Sequence, residues 1–144
     1  MSGARHPLRA WAQINLSALQ SNLARVQRLC PDSTIVPVIK SDAYGHGMNE
    51  IARAIAGANI DITCCAVASL DEALALKQLN TGMRVLLLAG FANGDELKTL
   101  LNNGIDFVVQ ARYQLSELVK ALDDLTPTDK IRIWVKLDTG MHRL

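Results

Sequence analysis

Short apolar runs of strand length alternate with longer amphipathic stretches, and this alternation limits the fold more than any other feature of the sequence. The runs are Ile35–Ile39, Ile62–Val67, Val85–Ala89, Phe107–Val109 and Ile131–Leu137. Strands that are apolar nearly throughout are those buried on both faces, as in a parallel sheet. The runs therefore predict five parallel strands.

The stretches between the runs have helical spacing. One of them places apolar residues at i, i+3, i+4 and i+7, namely Met48, Ile51, Ala52 and Ile55. Two others begin with the pattern of a capping box, Ser17 with Gln20 and Ser69 with Glu72. Helices that alternate with parallel strands predict βαβ units with right-handed crossovers.

Two α/β architectures fit a repeat of this kind, a doubly wound open sheet and a (β/α)8 barrel of the TIM type. The periodicity alone leaves both open. No GxGxxG fingerprint follows the first strand, which argues against a dinucleotide-binding open sheet and favours the barrel.

The strand count is too low for a closed barrel, which needs eight strands and about 250 residues. We therefore expect residues 15–144 to be the N-terminal part of a longer barrel, of which this chain supplies about the first five strands. Residues 1–14, which precede the first predicted helix, are expected to form a leading extended segment.

Charge and cysteine content exclude several classes of function. The net charge is +1 and no basic block occurs, so neither a nucleic acid nor a membrane surface is an expected partner. No apolar run resembles a membrane span or a secretory signal, which predicts a cytoplasmic protein. The three cysteines lack zinc-site spacing, so no metal site is expected and all three are predicted to be reduced core residues.

Lys40 ends the first predicted strand and is the first candidate for chemistry. Functional residues of parallel α/β folds gather at the carboxyl ends of strands. Desolvation at such a position disfavours the ammonium form and leaves an amine that can form a Schiff base with an aldehyde. The alternative for Lys40 is a lysine at a strand end that only extends into solvent. Tyr44, with Gly45 and Gly47, suits a phosphate-binding loop, and an ordinary βα turn fits these three residues equally well.

A second group of polar residues follows the last predicted strand. Lys136 is expected in that strand and Arg143 in the loop beyond it. A guanidinium there suits a carboxylate or a phenolate oxygen, because it donates two parallel hydrogen bonds. A surface ion pair between Arg143 and Asp138 is the alternative.

Three segments of the chain resemble alanine racemases. The run from Val38 to Gly47 is similar to their pyridoxal-phosphate attachment motif, and the run from Lys136 to Leu144 is similar to their second signature. The run from Trp11 to Asn22 resembles the start of the same family. A resemblance of this extent implies the TIM-type barrel, the cofactor pyridoxal 5′-phosphate and the interconversion of L- and D-alanine, for peptidoglycan synthesis or alanine catabolism.

The resemblance also implies roles for single residues. Lys40 would hold the cofactor as a Schiff base and act as the base on one face of the substrate. Tyr44 would contact the cofactor phosphate, and Arg143 the cofactor phenolic oxygen and the substrate carboxylate. Lys136 corresponds to a lysine that many members carbamylate. His142 departs from the family pattern, which usually has glycine there.

Racemisation needs a second base on the opposite face, and the resemblance implies that it comes from a C-terminal β-domain of the partner subunit in a homodimer. That domain is expected to lie outside this chain, so the chain alone is predicted to be inactive or nearly so. The alternatives are a non-enzymatic pyridoxal-phosphate carrier built on a single barrel, a racemase of broad specificity and a chain that only pairs with an intact subunit.

Overall fold

The computed structural model describes residues 10–122 and 131–143. The helices are α1 (Leu16–Leu29), α2 (Lys40–Gly45), α3 (Met48–Ala56), α4 (Leu70–Gln78), α5 (Gly94–Asn102) and α6 (Arg112–Leu122). The strands are β1 (Cys64–Val67), β2 (Arg84–Leu87), β3 (Asp106–Val109) and β4 (Ile133–Val135). The predicted leading segment lies partly outside the described residues, and residues 10–14 have neither helical nor strand structure.

The strands form one sheet in the order β1-β2-β3-β4, and every neighbouring pair is parallel, as predicted. The first predicted strand, Ile35–Ile39, is wrong in extent, because a single bridge between Val38 and Ala66 is all that pairs it with β1. Pro37 explains the difference in part. Its carbonyl accepts from Ala66 N–H, but its own nitrogen has no hydrogen to donate to the ladder.

The two faces of the sheet are covered differently. One face packs against the helices and forms the large core, in which Leu100 of α5 and Phe107 of β3 are fully buried. The buried cluster on the other face contains strand residues only: Cys64, Ala66, Leu86 and Val108. A doubly wound sheet carries helices on both faces and reverses its strand order, whereas a barrel does neither. The described residues therefore have the arrangement of a barrel.

Capping explains where the helices begin. The Ser69 capping box is confirmed: its hydroxyl accepts from Glu72 N–H, and the Glu72 side chain accepts from Ser69 N–H. The box predicted at Ser17 is wrong, because Asn15 caps α1 by accepting from Ala18 N–H and Ser17 lies inside the helix. Within the described ranges, no helix is both long enough and apolar enough to span a membrane.

Among the described residues, no strand pairs with β4 on the side away from β3. All three residues of β4 are exposed. Leu115, Val119 and Leu122 on α6 are each about half exposed. The sheet thus has a free edge and a partly uncovered helix at its β4 side.

Candidate functional site at the carboxyl edge of the sheet

Lys40 lies at the carboxyl edge of the sheet, where the sequence placed it. The backbone of Ile39 donates to Ala66 O over 2.8 Å, which fixes this segment beside β1. Ile39 is buried in the core on the helix side, and Lys40 follows it as the first residue of α2. Lys40 is only partly buried.

The segment after Lys40 is wound left-handed, which the sequence did not predict. Ser41, Asp42, Ala43 and Tyr44 all have φ between 53° and 56°. Gly45 and Gly47 continue with φ of 81° and 87°. In this conformation an L-residue brings its Cβ close to the next carbonyl oxygen, so single residues rather than runs are the rule. The expected phosphate-side loop is therefore a left-handed turn, and it leaves Tyr44 59% exposed.

Two contacts within the segment define the shape of the turn. The Asp42 carboxylate accepts from Met48 N–H over 2.6 Å and so caps α3. The His46 ring lies with Nδ1 2.8 Å from Ala43 O, and since a carbonyl can only accept, Nδ1 carries the proton. His46 is thereby a loop residue with a backbone partner.

Glu72 adds a contact that comes from another element. One of its carboxylate oxygens accepts from Ser41 N–H over 2.6 Å, and the other accepts from Ala68 and Ser69 N–H over 3.0 and 3.1 Å. Desolvation raises the pKa of Glu72, but these three backbone donors outweigh it and hold the pKa below its ordinary value. The capping-box motif revealed the contact with Ser69, whereas no local signal predicted a contact 31 positions away.

The second candidate segment also lies at the carboxyl edge of the sheet, but it follows β4, the strand farthest from β1. Lys136 follows β4 rather than belonging to it, although its N–H donates to Val109 O and extends the ladder by one bond. Trp134 pairs with Val108 of the cluster on the helix-free face, and alternation places Lys136 on that same face. Arg143 is exposed in the loop beyond, as expected.

Asp138 organises the loop that carries Arg143. Its Oδ1 atom accepts from Gly140 N–H and from His142 N–H over 2.9 and 3.0 Å. His142 has φ of 53°, in the left-handed region that favours glycine. The residue that departs from the family's signature therefore has a backbone conformation that favours glycine.

The structure brings the two segments to one edge of the sheet but not into contact. Lys40 and Tyr44 lie beside β1, Lys136 and Arg143 lie beyond β4, and β2 and β3 stand between them. No hydrogen bond or ion pair joins any two of these four side chains within the ranges that the structure describes. In a closed barrel the same edge becomes a ring around one mouth.

These features define the N-terminal part of a parallel (β/α) barrel, with Lys40, Tyr44, Lys136 and Arg143 at the carboxyl edge of its sheet. Residues 14–144 match the family model of the alanine racemase N-terminal domain. The alanine racemase of Pectobacterium atrosepticum is 44% identical over 135 residues, which cover 94% of this chain and 35% of that protein. The chain therefore belongs to the alanine racemase family, and it spans about a third of the length of the relatives that it matches.

Solved structures agree with this assignment. The alanine racemase of Acinetobacter baumannii superposes with a TM-score of 0.80 at 32% identity, over 90% of this chain and 35% of that one. The alanine racemase of Bartonella henselae, solved with covalently bound pyridoxal phosphate, gives the same TM-score over 90% of this chain and 35% of its own. At 24% identity the second likeness shows the fold alone. The fold is thus the TIM-type barrel, of which this chain forms the N-terminal part.

Proposed function

We propose that the protein interconverts L- and D-alanine with pyridoxal 5′-phosphate, and that Lys40 binds the cofactor. The observation that carries the proposal is the position of Lys40 at the carboxyl edge of the sheet in a chain of the alanine racemase family. Functional groups of barrel enzymes lie at that edge.

The side chains present fit this cofactor. It offers an aldehyde, a phosphate and a phenolic oxygen, which suit an amine, a phenol and a guanidinium. Lys40, Tyr44 and Arg143 supply these three groups at the same edge of the sheet. When bound, pyridoxal phosphate supplies the electron sink that allows the α-proton of an amino acid to leave.

Each residue then has a definite task. Without substrate, the ε-amine of Lys40 would hold the cofactor at its aldehyde carbon; with substrate bound, the freed amine would move a proton at one face of the substrate α-carbon. The Tyr44 hydroxyl would donate to a phosphate oxygen. The Arg143 guanidinium would bind the substrate carboxylate and the phenolic oxygen. A carbamate on Lys136 would accept from Arg143 and hold it in place.

The opposite proton transfer needs a second base, which we place outside these residues, in a β-domain of a partner subunit. The isolated chain should accordingly bind the cofactor without producing D-alanine. Cytoplasmic location and a homodimer belong to the same proposal.

The proposal is tested by a chimaera in which residues 14–144 replace the matching part of the Pectobacterium atrosepticum racemase. D-alanine formation should appear in the chimaera and be lost on Lys40→Ala. The isolated chain, treated with pyridoxal phosphate and borohydride, should carry the label on Lys40. A chimaera that folds and racemises alanine with Lys40→Ala in place would contradict the assignment.

A further inference from the structure

The backbone on the C-terminal side of Lys40 is held in an unfavourable conformation. Four consecutive L-residues, Ser41 to Tyr44, lie in the left-handed region. Such residues persist only where surrounding contacts fix them. The position of the Lys40 amine therefore depends on what fixes the turn.

Ile39, just before the turn, is held beside β1 by its bond to Ala66 O, and the buried Ala43 packs in the core. The hydrogen bonds made by the turn itself are of two kinds. The bonds of Asp42 with Met48 and of His46 with Ala43 join near neighbours, so they set the shape of the turn but not its place on the sheet. The bond from Ser41 N–H to Glu72 joins it to α4. In the described chain, this is the one hydrogen bond that connects residues 40–45 with a distant element.

Glu72 is itself well fixed. Its carboxylate accepts from Ala68 and Ser69 N–H in the loop between β1 and α4, and the residue lies in the first turn of α4. A carboxylate is favoured there by the helix dipole. Because Glu72 is fixed to the loop after β1 and to α4, its bond to Ser41 N–H holds that residue in place relative to the sheet.

We propose that Glu72 is a positioning residue for Lys40: it fixes the peptide between Lys40 and Ser41 to α4 and so sets where the ε-amine meets the cofactor aldehyde. This inference rests on the proposed function of Lys40. It assigns Glu72 no contact with cofactor or substrate.

Glu96 provides a matched control. It occupies the same position in α5, three residues after the N-cap Asn93, and accepts from Ala92 N–H over 2.8 Å in its own strand–helix loop. Both glutamates are partly buried. Glu96 thus has the capping role of Glu72 without a bond to α2.

The experiment titrates the 144-residue chain with pyridoxal 5′-phosphate, reduces each sample with borohydride and quantifies the labelled Lys40 peptide by mass spectrometry. The exposed Lys98 serves as an internal reference in every sample. Glu72→Gln keeps the length and loses the charge, whereas Glu72→Asp keeps the charge and loses the reach. Both should raise the half-saturating concentration for Lys40 about tenfold, since a hydrogen bond to a charged group is lost. Lys98 should not change.

Glu96→Gln and Glu96→Asp should leave the half-saturating concentration for Lys40 within about twofold of the parent value. The reason is that the cap they weaken lies in α5, and Glu96 makes no bond to α2. If the Glu72 variants behave like the Glu96 variants, the inference is wrong and the proposed function stands. If Lys40 of the parent is labelled no more readily than Lys98, the proposed function is wrong, and the inference about Glu72, which rests on it, is wrong as well.

A second measurement covers variants that do not fold. Hydrogen exchange of the Ser41 amide is followed in the unliganded parent chain. Protection of that amide supports the bond to Glu72, because α2 offers it no other partner among the described residues. Exchange at the rate of an unstructured peptide would overturn the inference.

Discussion

Arg84 Nη1 lies 2.8 Å from Asp106 Oδ2, at the edge of the sheet opposite to Lys40. Arg84 pairs in register with Cys64, and Asp106 pairs with Leu86, so both face the side of the sheet that none of the described helices covers. The Asp106 side chain is 7% exposed, and the guanidinium is its ion-pair partner. At the amino-terminal ends of β2 and β3, on this helix-free face, the buried carboxylate of Asp106 thus has a cationic partner.

Replacing Arg84 by Met should therefore destabilise the chain by about 2–3 kcal/mol, because it leaves a buried carboxylate without its cation. The free energy of unfolding in urea measures the loss. Lys120→Met is the control, since it breaks the exposed 2.8 Å pair with Glu117 and should cost less than about 0.5 kcal/mol. Equal losses would show that Asp106 is hydrated rather than buried.

The cysteines should differ in reactivity, contrary to the sequence prediction that all three lie in the core. All three are free, but Cys30 is exposed while Cys64 and Cys65 are buried. Burial raises the pKa of Cys65 to about 12 and also raises that of Cys64. At pH 8 the thiolate of Cys65 is about a thousandfold scarcer than for a thiol at the ordinary value of 9.0. Timed alkylation with mass spectrometry should modify Cys30 first and the other two only on unfolding.

Glu72 should contribute to the pH dependence of stability. Its pKa is lower in the folded chain than its ordinary value of 4.5, so the folded state favours the ionised form. The resulting stabilisation is complete above that ordinary value and is lost as the pH falls through the lower folded value. Relative to the parent, Glu72→Gln should therefore lose stability at pH 7 and lose less at pH 3. Urea unfolding at both pH values tests this, and a difference that grows on acidification would contradict the sign.

His142→Gly should stabilise the loop that carries Arg143. A left-handed L-residue costs about 1–2 kcal/mol, and the extra freedom of glycine in the unfolded chain returns about 0.4–1 kcal/mol of that. The net gain in the free energy of unfolding should be about 0.5–1 kcal/mol. Asn80→Gly is the control, because Asn80 also has a positive φ, of 50°, but asparagine tolerates this region. A loss of stability in His142→Gly would show that the imidazole stabilises the loop more than its backbone strains it.

Much of the fold was predictable because it depends on near neighbours. The helix on Met48 and Ile55 and the Ser69 capping box follow from contacts three to four residues apart. The parallel strands follow from apolar runs buried on both faces. Lys40 was predicted from an equally local feature, its place directly after the apolar run Ile35–Ile39, and the family motif around it is also local.

Only the tertiary structure decided how the segments hold one another. Gln114 is fully buried and donates to Phe91 O from 23 positions away, and Glu72 reaches Ser41 across 31. The left-handed winding of Ser41 to Tyr44 in α2 likewise runs against the general preference of L-residues. A local sequence pattern indicates only the conformation that each residue favours beside its neighbours along the chain. The packing of helices on one face of the sheet and the bond between Ser41 and Glu72 depend on contacts between elements that are distant along the chain, and no local pattern encodes those contacts.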